Sequence, residues 1–207
     1  MFGDSITFGQ WVQEEQKWVN QVTTRFNLEG VNAGISGNTS ADGLKRLQSD
    51  VLVHHPDFVI INFGMNDHVM TKLDTPKVAK PAFANNLITM IDRTRSHGAI
   101  PILVTTNYII EGDSSLYYYR RHPQHFYVNV GGAEAWLEQY IQVVRGVAAA
   151  KQVDLVDVHK ACASYDKYEF LRSLHNDANT DDGVHPSTAG SHVYAREIGD
   201  YLAAVYP

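Results

Sequence analysis

Only one cysteine, Cys162, stands in the 207 residues, so no disulfide can form within the chain and its fold is indifferent to redox compartment. Cationic side chains are also scarce. Seventeen lysines and arginines face 23 aspartates and glutamates, a net charge of −6, which leaves no electrostatic case for nucleic acid or an anionic membrane as partner. No apolar run approaches the ~18–20 residues that cross a bilayer, so no membrane span is expected. The first residues carry neither the basic segment nor the apolar core of a secretory signal. The chain as given is therefore expected to be cytoplasmic, or secreted if the natural N-terminus is longer. Internal repeats, low-complexity tracts and linkers are missing too, and the length suits a single domain, 1–207. What is present is enough apolar material, 44% of residues, to argue against disorder and to fill a sizeable core.

That apolar material falls into alternating strand and helix patterns. Trp18, Val22 and Phe26 mark one helix face; Leu44, Leu47 and Val51 mark a second, with Thr39 or Ser40 as its N-cap. Phe83, Leu87, Ile88 and Ile91 give a third helix, and Trp136, Tyr140, Val143, Val144 and Val147 a fourth. The last helix is expected from about Thr188 to Ala204, capped by Ser187. Between these lie strand-like segments at 31–33, 58–63, 102–106 and 154–158, of which 58–63 has the β-rich, unbroken apolar character of a buried parallel strand. Such alternation predicts an α/β fold with helices on both faces of a parallel sheet. Ligands in such sheets bind outside the carboxyl ends of the strands, so site residues should follow strands.

Three segments meet that requirement. Gly3-Asp4-Ser5 follows what must be a very short strand, since only Met1 and Phe2 are available to build it; either the strand is unusually short or it begins upstream. Asn32 to Thr39 is a Gly-Ser-rich turn after the second strand, and Gly64-Met65-Asn66-Asp67 follows the strongest strand. A serine hydroxyl becomes a nucleophile when a histidine, itself oriented by a carboxylate, takes its proton. Asp182 and His185 offer that pair in a loop closed by Pro186. By itself the pair says little, because an aspartate three residues before a histidine arises by chance in roughly one chain in four of this length. Glycine backbone and the Asn66 amide are the kinds of donor that hold a developing oxyanion.

Taken together the segments resemble the SGNH hydrolases, also called GDSL esterases and lipases. Gly3-Asp4-Ser5 resembles the first block of that family, Gly34 to Gly37 the second, Gly64-x-Asn66-Asp67 the third and Asp182-x-x-His185 the last. Four blocks in order, from the first residues to Pro186, cover most of the chain. The resemblance implies a three-layer α/β/α sandwich with a flavodoxin-like parallel sheet. It implies Ser5 as nucleophile, His185 as base and Asp182 as its orienting acid. It further implies an oxyanion hole of Ser5 N–H, Gly37 N–H and Asn66, with no cofactor. The Gly-x-Ser-x-Gly elbow of the larger α/β-hydrolases is absent.

The expected activity is hydrolysis of short acyl, notably acetyl, esters of a polar or carbohydrate alcohol through an acyl-enzyme. Two alternatives stand beside it: a lysophospholipase or thioesterase on longer chains, and a catalytically silent carbohydrate-binding module of the same fold. The partner is expected to be a small-molecule ester; nothing in the sequence specifies an oligomeric state. Asp67 reads as a cap or a supporting hydrogen-bond partner rather than a reacting group. His122 and His125 are close in sequence but lack the adjacent carboxylate or cysteine that would complete a metal site, so no metal is expected. The long connection 107–130 leaves the sheet on the catalytic side, and Tyr118 and Tyr119 within it are expected to line the substrate site.

Overall fold

The structure, a computed structural model, describes residues 1–112, 114–115, 122–177 and 179–206. Among these residues five parallel strands form the central sheet: β1 (Phe2–Gly3), β2 (Ala33–Gly34), β3 (Phe58–Asn62), β4 (Ile100–Val104) and β5 (Asp154–Val156), in the order β2-β1-β3-β4-β5. The helices are α1 (Ser5–Phe8), α2 (Trp18–Phe26), α3 (Ser40–Asp50), α4 (Lys80–Ser96), α5 (Ala133–Lys151), α6 (Val158–Cys162), α7 (Lys167–Phe170) and α8 (Thr188–Val205). Helices α2 and α8 pack together on one side of the sheet, and α3, α4 and α5 pack in succession on the other. This is the expected three-layer sandwich, with the flavodoxin-like strand order and its change of direction at β1.

The layers follow from which side chains need burial on two sides. Val59, Ile60 and Ile61 of β3 are all buried, as a central parallel strand covered on both faces requires. On one side Trp18 stacks on Tyr194 at 6.0 Å and donates its indole N–H to Ile6 O at 2.9 Å, tying α2 to α8 and to α1. On the other, Tyr140 meets Phe83 and Trp136 at 5.3 and 5.4 Å, joining α4 and α5. The N-caps fall where polar side chains can take up free N–H groups. Thr39 and Asp42 form a reciprocal capping box at α3, and Ser187 caps α8.

Several boundaries differ from the sequence expectation. Strand β4 starts and ends two residues earlier than 102–106, because its ladder with β3 pairs Phe58 with Ile100 through to Ile61 with Leu103. The segment 154–158 stops being a strand at Val156; the Asp157 carboxylate accepts from Lys160 N and starts α6, so Val158 belongs to a helix. A short apolar run does not distinguish the two. A small antiparallel hairpin, Met70–Lys72 with Thr75–Pro76, lies in a connection that carried no strand pattern. His122 stacks on His68 at 5.5 Å whereas His125 lies edge-on to Phe126, so the two imidazoles face different neighbours.

One close approach matters for the site. An ideal Cβ built on Gly34 would sit 2.2 Å from the backbone nitrogen of Phe8, so β2 admits α1, the helix that carries Ser5, only because residue 34 has no side chain. Gly34→Ala should therefore cost about 1–3 kcal/mol through overpacking. Urea unfolding of the variant should show a lowered midpoint with the slope unchanged; an unaltered midpoint would mean α1 is not held this tightly.

Candidate active site

The site begins where β1 ends. Asp4 caps α1, its carboxylate accepting from Ile6 N at 2.9 Å, and Ser5 is the first residue of that single turn. Gly9, at φ +76°, stops the helix, and the N–H groups of Gly9 and Gln10 both donate to Ser5 O. Ser5 is thus fixed from both sides by its own backbone, at the carboxyl end of β1, and its side chain opens on a cleft of about 400 Å³.

Across that cleft the loop before α8 brings two further side chains. His185 Nε2 lies 2.8 Å from Ser5 Oγ, and His185 Nδ1 lies 2.5 Å from Asp182 Oδ2. With the imidazole proton on Nδ1, His185 donates to Asp182 and its Nε2 accepts from the Ser5 hydroxyl. The other carboxylate oxygen of Asp182 accepts from the N–H groups of Val184 and His185, at 2.9 Å each, so the acid's position is set by the loop it belongs to. That loop is pinned in turn. Arg172 N donates to His185 O, Gly183 N donates to Arg172 O, and Leu171 bridges to Pro186. From the β4 side, the Asn107 amide donates to Val184 O at 3.0 Å and Ile110 N to Gly183 O at 2.8 Å.

Gly37 lines the same cleft from the loop after β2, with φ +82° in the left-handed region that glycine occupies at no steric cost. Asn66 follows β3 and is buried, its amide nitrogen 3.4 Å from Asp4 Oδ2. Ser5, Asp182, His185 and Gly37 therefore share one cleft, and Asn66 lies behind it against the residue next to Ser5. Tyr118 and Tyr119 fall outside the described residues. Asp67 is placed as its sequence reading anticipated: both its oxygens accept from Ser40 N, and the Ser40 hydroxyl donates to it at 2.5 Å, so it holds the first turn of α3. Among the described residues no group of three or more His, Cys, Asp and Glu side chains is arranged to hold a metal ion.

Two participants were not visible in the sequence, and a third was visible only as part of the Gly3-Asp4-Ser5 block. Arg46, on α3, donates to Gly3 O, Ala33 O and Asn38 Oδ1 at 2.8, 2.8 and 2.7 Å. It thereby ties the ends of β1 and β2 to the residue after Gly37. Gln10 accepts from the Ser36 hydroxyl at 2.6 Å and ties the α1 turn to the same loop. Asp4 is the third. Burial pushes its carboxyl up to about 7, against the pull of the Ile6 N–H, and burial likewise pushes Asp67 up to about 6 against its bonds from Ser40. A polar turn residue and a cation in an amphipathic helix are each unremarkable in sequence; only the fold shows what they reach.

A family model of the GDSL-like Lipase/Acylhydrolase proteins matches residues 1–193. The chain belongs to that family. Among curated relatives, an uncharacterised lipoprotein, YqeF, of Bacillus subtilis is 40% identical over 165 residues, 75% of this chain and 68% of the relative. An acetylxylan esterase of Geobacillus stearothermophilus is 32% identical over 187 residues, 86% of this chain and 75% of the relative. Among solved structures, the lipase/acylhydrolase of Enterococcus faecalis superposes with a TM-score of 0.74 at 29% identity, covering 98% of this chain and 93% of that one. The chain is an ester hydrolase of the GDSL type.

In this GDSL hydrolase the buried acids Asp4 and Asp67 should make stability depend on pH. Asp4 and Asp67 hold their protons to higher pH folded than unfolded. As pH rises from about 4 to 7 the unfolded chain loses those protons first, and stability falls. Asp4→Asn keeps the cap and removes one of these groups. Relative to wild type, the variant should gain stability on going from pH 4.5 to 7.5, by an amount on the order of a few kcal/mol. Guanidinium unfolding at the two pH values reads this; a wild-type-to-variant difference that stays constant with pH would contradict it.

Proposed function

We propose that this GDSL hydrolase is a serine esterase in which Ser5, His185 and Asp182 form the catalytic triad, acting on short acyl esters of a neutral, polar alcohol. The observation that carries the reading is the unbroken hydrogen-bond series from Asp182 through His185 to Ser5 Oγ, open to a cleft at the carboxyl ends of the strands. His185 Nε2 takes the hydroxyl proton as Ser5 Oγ bonds to the ester carbon, and Asp182 stabilises the imidazolium that results. The carbonyl oxygen gains the negative charge and is met by Ser5 N–H, Gly37 N–H and the Asn66 amide. Collapse of the tetrahedral species breaks the bond to the alcohol, and His185 returns the proton to the leaving oxygen. Water, deprotonated by His185, then attacks the acyl-serine, and the acid departs as Ser5 regains its proton.

The cleft itself supports the substrate class. Its described lining carries Asp181 and Asp182 and no lysine or arginine, which disfavours a phosphate-bearing alcohol and suits a neutral one. The acyl half is read as small, acetyl in the first place, in keeping with the name of the acetylxylan esterase relative.

Ser5→Ala should lower kcat for an aryl acetate by about 10³-fold or more and leave the circular dichroism spectrum unchanged. Retention of full activity would end the mechanism. A series of aryl esters from acetyl to palmitoyl should show its optimum at acetyl; an optimum at long chains would reassign the acyl site to lipid-like substrates.

A further inference from the structure

Trp11 stands apart from every other tryptophan in the chain. Trp18 and Trp136 are buried, whereas Trp11 is 52% exposed at the mouth of the Ser5 cleft. An exposed indole is unusual because the ring carries a large apolar surface. Among the described aromatic and cation contacts, none falls on this ring.

The position is nevertheless firmly held. Trp11 has φ +66°, in the left-handed region that a bulky side chain rarely enters. The Arg172 guanidinium donates to Trp11 O, and its other arm donates to Asp177 Oδ2 at 3.1 Å. The backbone of Arg172 is the same one that pins the loop of His185. One residue earlier, Gln10 is bonded to Ser5 O through its N–H and to Ser36 through its side chain. One residue later, Val12 turns into the protein, its N–H donating to Gly9 O. The indole is thus presented to solvent on a backbone locked to both Ser5 and the His185 loop.

We propose that Trp11 is the specificity residue for the alcohol half of the substrate, and that its indole stacks against the ring of a polyhydroxylated, saccharide-like alcohol. The inference rests on the esterase reading of Ser5 given above. The flat apolar face suits the C–H face of a sugar ring. The hydroxyls on the ring's edge need hydrogen-bonding partners, and Gln10, Ser36, Asn179, Thr180 and Asp181 line the same cleft. An aliphatic alcohol would use the ring but offer these polar groups no hydroxyls to engage; an anionic one would meet Asp181 and Asp182.

The test compares two acetyl esters: an acetylated xylo-oligosaccharide, which offers a ring, and ethyl acetate, which does not. Trp11→Ala should raise KM for the saccharide about tenfold while kcat stays within about twofold, and leave kcat/KM for ethyl acetate unchanged. Trp11→Phe, which keeps a stacking surface, should recover most of the lost affinity. Equal losses on both esters, in either variant, would make Trp11 a structural residue and overturn the proposal. So would an unchanged KM for the saccharide, or a wild-type enzyme that cleaves ethyl acetate but not the saccharide. A wild-type enzyme that cleaves neither would instead bring down the esterase reading of Ser5, and this proposal with it.

Discussion

The guanidinium of Arg46 lies where three parts of the site meet: the end of β1, the end of β2 and the loop carrying Gly37. Two residues, Phe2 and Gly3, pair with Ala33 and Gly34 on one side and with Ile61 and Asn62 on the other. Ser5 stands two residues past the end of that ladder. Hydrogen bonds from a charged donor are each worth about 1.5–3 kcal/mol and are strongly directional. Arg46 places three of them across this junction and lays its charge over the Phe2 ring, 4.7 Å from the centroid. Asp50, one turn on along α3, balances that charge at 3.1 Å.

The same junction holds buried carboxylates at the starts of α3 and α1. Asp67 fastens the first turn of α3, and Asn86 donates to the Ser40 hydroxyl that Asp67 also holds. Arg46 sits in the second turn of that helix, so securing the helix start also secures the guanidinium. Asp4 fastens the start of α1 in the same way. Each acid supplies the acceptors that a helix terminus needs in a place water does not reach. Burial raises the cost of their charged forms, which is the reason both hold protons well above the ordinary carboxylate range. Asp182 meets the same need within a loop, taking two backbone N–H groups on one oxygen and leaving the other for His185. The acid is thus set by its own backbone, and Asn107 and Ile110 hold that backbone from the β4 side.

What could be read from sequence divides along the same line. Ser5, Asp182 and His185 stood out because their chemistry is carried by residue type and order, and Asp182 and His185 are neighbours in the chain. Strand β3 stood out because three consecutive apolar β-branched residues, Val59 to Ile61, leave few other structures open. Arg46 was hidden because the partners that tie β1 and β2, Gly3 O and Ala33 O, lie 43 and 13 positions away and are backbone carbonyls, which have no sequence signature. Trp11 was hidden because its neighbours Gly9, Gln10 and Val12 suggest neither strand nor helix, and its significance depends on a contact from Arg172. The start of β4 and the end of β5 were misjudged because register and capping, rather than apolar character, decide them. Local chemistry is legible in a chain; the long-range hydrogen bonds that aim it are not.

In the proposed reaction Ser5 opens the ester bond through a covalent acyl-serine. An aryl phosphonate ester, which traps an activated serine as a stable tetrahedral adduct, tests this most directly when labelling and residual esterase activity are followed together. Activity should fall in proportion to modification, and peptide mapping should place the adduct on Ser5. Full activity in enzyme whose Ser5 is quantitatively modified, or inactivation with the adduct on another residue and Ser5 intact, would contradict it.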